Sequence, residues 1–355
     1  MTNTRVNEID LLRFIAALAV VIFHYTFCGF AVDAMTVMPY PLLAPISKYG
    51  YLGVELFFMI SGFVILMSAA SGNIKEFIIS RLIRLFPAFW ACCTITALFI
   101  FLIGSPRYHI SLGQYLINMT MLSGFVDVPS VDGAYWSLFV EIKFYLLVTL
   151  VLLIKKIDQA QKILAIWLLV SVVLQLINIS YHLSQFLIAS YSAFFIAGGA
   201  FFLIWSKGFS IFRLFIIVVS WGLAVFQSVS GLTYTENIAH TEMNVFVVVG
   251  IVTAFFVVMF FISLKKTGQL GRLNFGVIGT LTYPLYLLHQ NIGYIIFNVY
   301  YEKVNPHVLV WGTLLIMIVA AKMVHIFVEK RMAPLLKNVL NSHIYPRGFK
   351  KAANL

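Results

Sequence analysis

The sequence predicts an all-α, polytopic transmembrane helical bundle of about ten transmembrane helices, with both termini cytoplasmic. Three observations predict it. Long apolar runs recur along the chain, 61% of residues are hydrophobic while only 10% are charged, and the cations sort to one side of the runs. Soluble domains carry roughly 25% charged residues. A chain this apolar needs lipid to take over part of the work of a core.

A run that crosses the hydrocarbon needs roughly 20 residues. In chain order the runs fall at about 9–30, 49–70, 86–104, 134–154, 163–181, 186–205, 211–229, 245–264, 277–298 and 308–328. The first holds charge inside it and lacks a small-residue cleavage site, so it reads as a helix and not a cleaved leader. The stretch 107–126 is amphipathic and is expected to lie on or dip into the outer face. Domain expectations are correspondingly simple: residues 1–330 form one transmembrane domain and 331–355 a basic cytoplasmic tail. No stretch is long enough for a further soluble domain.

Of the 24 Lys and Arg, only Lys48, Arg107 and Lys303 fall in the odd-to-even loops, and Arg13, Lys143 and Lys322 fall within runs. The rest lie in the termini and even-to-odd loops, which the positive-inside rule assigns to the cytoplasm. The net charge of +11 therefore describes membrane topology. With no soluble basic domain to present it, the expected partner is a bilayer and not nucleic acid. The three cysteines, Cys28, Cys92 and Cys93, give neither a disulfide framework nor a zinc spacing, and no metal is expected.

Charged and polar groups within the runs are functional candidates, because each costs roughly 3 kcal/mol near the bilayer centre. The first run carries Asp10, Arg13 and His24. Arg13 and His24 are eleven residues apart, a rise of about 16 Å and nearly a whole number of turns, so they share a helix face. In the fourth run Trp136 precedes Ser137 and Glu141, which are four apart and share a face. Glu55 and His289 come out near the depth of His24 and Glu141. Four ionisable groups from four helices at one depth predict a polar site in the outer half of the membrane. Glu55 and His289 also admit a structural reading, as a cross-helix hydrogen-bonded pair. Lys143 and Lys322 read as partners or snorkelling residues.

Between the second and third runs, Arg81 and Arg84 are three apart and point the same way on a helix. Pro87 can begin or kink the helix that follows. Two readings fit the arginines: positive-inside anchoring, or a phosphate clamp together with Arg13, since guanidinium forks suit phosphate.

In this order the residues match a known pattern, and the chain resembles the acyltransferase-3 family of integral membrane acyltransferases over nearly its whole length. Arg13 and His24 are similar to its R/K-x10-H motif, Arg81 and Arg84 to its R-x-x-R, and Ser137 and Glu141 to its S-x-x-x-E. Residues 53–58 with Ser61-Gly62-Phe63 resemble its helix 2 signature, with Glu55 where Asp is often written. Tyr283 to His289 resemble its late Tyr-x-x-Tyr-Leu-x-His stretch.

The resemblance implies a stand-alone O-acyltransferase of the bacterial cytoplasmic membrane, without the SGNH domain some members carry. Its co-substrate would be acyl-CoA, most often acetyl-CoA, with no bound cofactor. Its acceptor would be a hydroxyl of an extracytoplasmic carbohydrate such as O-antigen, exopolysaccharide or a lipid-linked sugar precursor.

On this reading Arg13, Arg81 and Arg84 bind acyl-CoA, His24 is the general base and Glu141 orients its imidazole. Asp10, Ser137, Glu55, His289 and Trp136 support the site or bind acceptor. Two variants stay open, an acyl-histidine on His24 and a thiol route through Cys28. The rival class is a proton-coupled transporter of a small polar solute, which also buries His, Glu and Arg. A non-catalytic receptor or assembly protein is a third. The H-x4-D signature of glycerolipid acyltransferases is absent: Gly29 and Tyr294 stand five residues after His24 and His289.

Overall fold

A computed structural model of the chain describes residues 5–177 and 181–344, and side chains as far as 342 with the exception of Tyr234. Among the described residues the fold is helical throughout, with no strand. The helices that answer the ten runs are α1 (Asn7–Ala31), α2 (Leu52–Ala69), α3 (Ile74–Ile103), α4 (Trp136–Leu153), α5 (Ala160–Ile177), α6 (Ser192–Lys207), α7 (Ile211–Ser230), α8 (Val245–Ser263), α9 (Gly276–Tyr300) and α10 (Pro306–Val324). A last helix, α11 (Lys330–Ile344), carries on from α10 through a π-helical turn, His325–Glu329. The basic tail expected over 331–355 is thus helical where it is described, and residues 345–355 lie outside the described residues.

Eight of these spans are long and apolar enough to cross a membrane. The two others are α6 and α9. Helix α6 has only 16 residues, and its face is buried almost all round. Helix α9 has 25 residues but is interrupted by Thr282, Tyr283, Tyr286, His289, Gln290 and Asn291. A helix apolar on every side belongs inside a bundle, and polar groups within a span turn toward neighbouring helices and not lipid.

Helix α3 starts twelve residues before the run that announced it, at Ile74. Asn73 caps it, its side chain accepting from the amides of Lys75 and Glu76. Arg81 and Arg84 are therefore one face of a continuous helix and not a loop. Pro87 sits inside that helix and does not begin it. The stretch 107–126 holds a short helix, Leu112–Asn118, and a 3-10 turn, Ser123–Phe125, with Leu112, Leu116 and Phe125 exposed.

The core divides in two. One large cluster is built chiefly from α2 and α4 to α8, the other chiefly from α3, α9 and α10, and α1 packs into both. The tightest contact is between α2 and α6, where glycines let backbones touch. A Cβ on Gly198 would stand 1.9 Å from the Met59 carbonyl oxygen, and one on Gly62 would stand 2.2 Å from that of Phe195. Small residues at such crossings are what membrane helix packing uses. The candidate site occupies the seam between the two clusters.

Candidate functional site

Helix α1 runs the length of this seam and is fixed at both ends. At its start Arg5 binds Asp10 at 2.5 Å and donates to the Gly276 carbonyl at the head of α9. Asp10 packs against Gly279 of the same helix. It lines neither of the two cavities described next. Farther along, the Tyr25 hydroxyl donates to the His289 carbonyl at 2.9 Å.

Two cavities open along α1. The first, of about 90 Å³, is lined by Arg13, Arg81, Arg84, Ser137, Glu141 and Tyr145, among others. Arg81 donates to Ser80 and, at 3.3 Å, to Ser68. Arg84 faces Glu329 at 3.9 Å and lies over the Tyr283 ring. Arg13 makes no hydrogen bond or ion pair with the described residues. Three guanidiniums here face one carboxylate lining the cavity. Guanidinium forks in excess of the carboxylate beside them are groups that an anion can bind.

The carboxylate in question is Glu141, and its place differs from the expected one. It accepts from Ser61 at 2.7 Å and from Tyr145 at 2.6 Å, on the arginine side of the seam. The structure gives it no contact with His24. Ser137 does share its face, and is within 2.7 Å of the Tyr286 hydroxyl. Depth along a helix axis was the reason to group Glu141 with His24. It says nothing about which way the side chain points around that axis.

The second cavity, of about 450 Å³, is lined by His24, Glu55, Trp136, Tyr191, Gln227 and Tyr286, among others. His24 opens a π-helical turn, His24–Cys28. Such turns gather at functional sites because they redirect side chains. The imidazole partner of His24 is another imidazole. His289 Nε2 stands 3.1 Å from His24 Nδ1, and His24 Nδ1 is also 2.8 Å from the Val20 carbonyl oxygen. His289 Nδ1 is 2.7 Å from the Tyr286 carbonyl oxygen.

These contacts settle the neutral tautomers. A carbonyl oxygen only accepts, so His289 carries its proton on Nδ1 and its Nε2 accepts. His24 Nδ1, between two acceptors, must be the donor. The lone pair of His24 is then on Nε2, which has no hydrogen bond to the described residues.

The expected Glu55–His289 pair does not form. Glu55 instead accepts from Ser228 of α7 at 2.7 Å. Trp136 lines the second cavity and Ser137, the next residue, lines the first. Val54 and Tyr286 line both, and so form the wall between them. Cys28 is buried against Phe23 and Phe27 and lines neither cavity.

A scan against family models matches residues 6–324 to an acyltransferase domain. The chain belongs to the acyltransferase-3 family. Within that family it is similar to Nodulation protein 10 of Rhizobium leguminosarum bv. viciae, at 28% identity over 169 residues. That match covers 41% of this chain and 44% of the relative's own length. No solved structure matches the chain. The protein described here is thus a helical member of the acyltransferase-3 family with two cavities along its first helix.

Several residues that line a cavity or, like Glu329, stand beside a residue that does, carry no signal in the family motifs. Tyr145 is one turn beyond Glu141, and Glu329 one turn beyond His325, which it meets at 2.6 Å. Helical spacing alone points to both. Tyr51, Gln227 and Ser228 come from segments that read as ordinary spans, and only the folded bundle brings them beside His24.

Proposed function

We propose that this protein transfers an acyl group, most simply acetyl, from cytoplasmic acyl-CoA to a hydroxyl of an extracytoplasmic carbohydrate. The observation that carries the reading is the division of labour along α1: an anion site at Arg13 and a basic imidazole nitrogen at His24, separated by one wall. A cavity of about 90 Å³ is far below the roughly 300 Å³ at which small-molecule pockets begin. The nucleotide of the donor therefore stays at its mouth, where Arg84 is part exposed, with the phosphates against the guanidinium forks. The slim pantetheine arm enters and passes Tyr286 to present its thioester to His24.

His24 Nε2 removes the proton of the acceptor hydroxyl as its oxygen attacks the thioester carbonyl carbon. A C–O bond forms, the C–S bond breaks, and the proton held by His24 neutralises the departing CoA thiolate. His289 keeps Nδ1 as the protonated nitrogen of His24 and receives its hydrogen bond when the ring becomes cationic. Glu141 fixes Tyr145 and Ser61 around the donor and balances part of the arginine charge.

The experiment is donor turnover by the purified chain in vesicles. Radiolabelled acetyl-CoA is offered with a mixed oligosaccharide pool, and ester-bound label and free CoA are counted together. Equal yields of the two support the reading. Solute uptake with the thioester intact would instead establish the transporter.

A further inference from the structure

The second cavity holds an unusual combination. Its lining contains no lysine or arginine and one carboxylate, Glu55. The two cavities thus differ in charge character: one gathers three guanidiniums, the other none. The second also holds two buried polar atoms with no hydrogen-bond partner among the described residues, the Tyr51 hydroxyl and Gln227 Oε1. A buried polar atom without a partner costs about 1–3 kcal/mol. Both belong to residues on the wall of this cavity, so a rotation of either side chain offers a ligand a hydrogen bond that the protein itself does not use. Beside them Trp136 and Tyr191 lie with ring centres 5.6 Å apart and planes tilted by 39°. Trp136 is 41% exposed although it stands within the bundle's seam.

Resting on the acyl-transfer reading above, we infer that this cavity is the acceptor subsite and takes an uncharged hexose unit, rejecting acidic sugars. A sugar ring has two chemical aspects, C–H faces and a rim of hydroxyls. The aromatic pair offers an apolar platform for the faces. Tyr51 and Gln227, with Gln175 and Glu55, offer donors and acceptors for the rim. The volume of about 450 Å³ lies within the range of small-ligand pockets, about 300–1,000 Å³. A uronate would have to give up the hydration of its carboxylate with no cation among the described lining residues to receive it. Rejection of that kind is as much a part of specificity as attraction. The placement also explains why His24, and not a residue of the arginine cavity, is the base: it lines the same cavity as the hydroxyls.

Binding without donor tests this apart from turnover. The purified full chain is titrated by equilibrium dialysis with a tritiated glucose tetramer and, separately, a galacturonic acid tetramer at pH 7. The glucose tetramer is expected to bind at least tenfold more tightly. Tyr51→Phe removes a hydroxyl that holds nothing in the protein, so it folds normally and weakens neutral-sugar binding about fivefold, the loss of one hydrogen bond. Trp136→Ala weakens it about tenfold, and Trp136→Phe, which keeps a platform, stays within threefold. Galacturonate bound as well as glucose, no binding of the neutral sugar, or affinities unmoved in both Tyr51→Phe and Trp136→Ala would each overturn the inference. Neutral-sugar binding with these sensitivities but no ester formed from acetyl-CoA would leave the subsite standing and sink the transfer reading.

Discussion

At the residue scale the histidine pair makes the sharpest demands. If His24 Nε2 is the base, His24→Ala removes the group that carries the proton, and transfer should fall by about 100-fold or more. The thermal unfolding temperature in detergent should fall only modestly, through the loss of the Nδ1 bonds and of ring packing against Phe23 and His289. His289→Ala is milder. His24 Nδ1 keeps the Val20 carbonyl but loses its second acceptor. Loss of one hydrogen bond is about 1 kcal/mol, close to fivefold in rate. His289→Gln offers an acceptor again and should recover part of that loss in initial-rate assays. Equal losses for His24→Ala and His289→Ala would refute the separate roles. On the arginine side, Arg13→Lys keeps the charge but not the fork, and should raise the acyl-CoA KM with little effect on that of the acceptor. A changed acceptor KM alone would place Arg13 elsewhere in the reaction.

At the element scale the site depends on how closely α2 and α6 approach, since α2 brings Glu55 and Ser61 to opposite cavities. Gly198→Val puts a branched side chain where even a Cβ lies 1.9 Å from backbone oxygen. Backbone cannot yield as a side-chain tip can, so the helices must part. The variant should lose folded protein, read as a drop in the detergent melting temperature or in monodisperse yield. Gly222→Ala, where nothing stands within 4 Å of the added carbon, is the matching control and should melt as the parent does.

The elements also show where sequence reading succeeds and stops. The ten apolar runs each have a helix, and eight of those helices are long and apolar enough to cross a membrane. The start of α3 was missed by hydropathy, though the Asn73 cap and the 3.6-residue spacing of 78–84 record it. Helical spacing placed Ser137 with Glu141, and both do line one cavity. It did not predict that Glu141 meets Ser61 and Tyr145 while His24 meets His289. Pairings across helices depend on how each helix is rotated against its neighbours, which no single segment encodes.

At the scale of the whole molecule, the proposed reaction needs a donor on one side of the membrane and an acceptor on the other, so α9 has to cross. It is the span whose composition argues least for crossing, and also the one that carries Tyr286 and His289. Its 25 residues rise about 37 Å, enough for a hydrocarbon core of about 30 Å. Its polar side chains are turned into the bundle: Tyr286, His289 and Gln290 are all buried. Lys266 and Lys303 flank it, both exposed. The three native cysteines are buried, so a single new cysteine reports its own surroundings. Lys303→Cys should react with a membrane-impermeant maleimide in intact cells. Lys266→Cys, in the cation-rich set of loops, should react only after permeabilisation. Labelling of both from the same side would mean that α9 turns back within the bundle. His24 and Arg13 would then serve substrates arriving from one side, and the two-sided transfer would have to be abandoned even if both cavities bind as proposed.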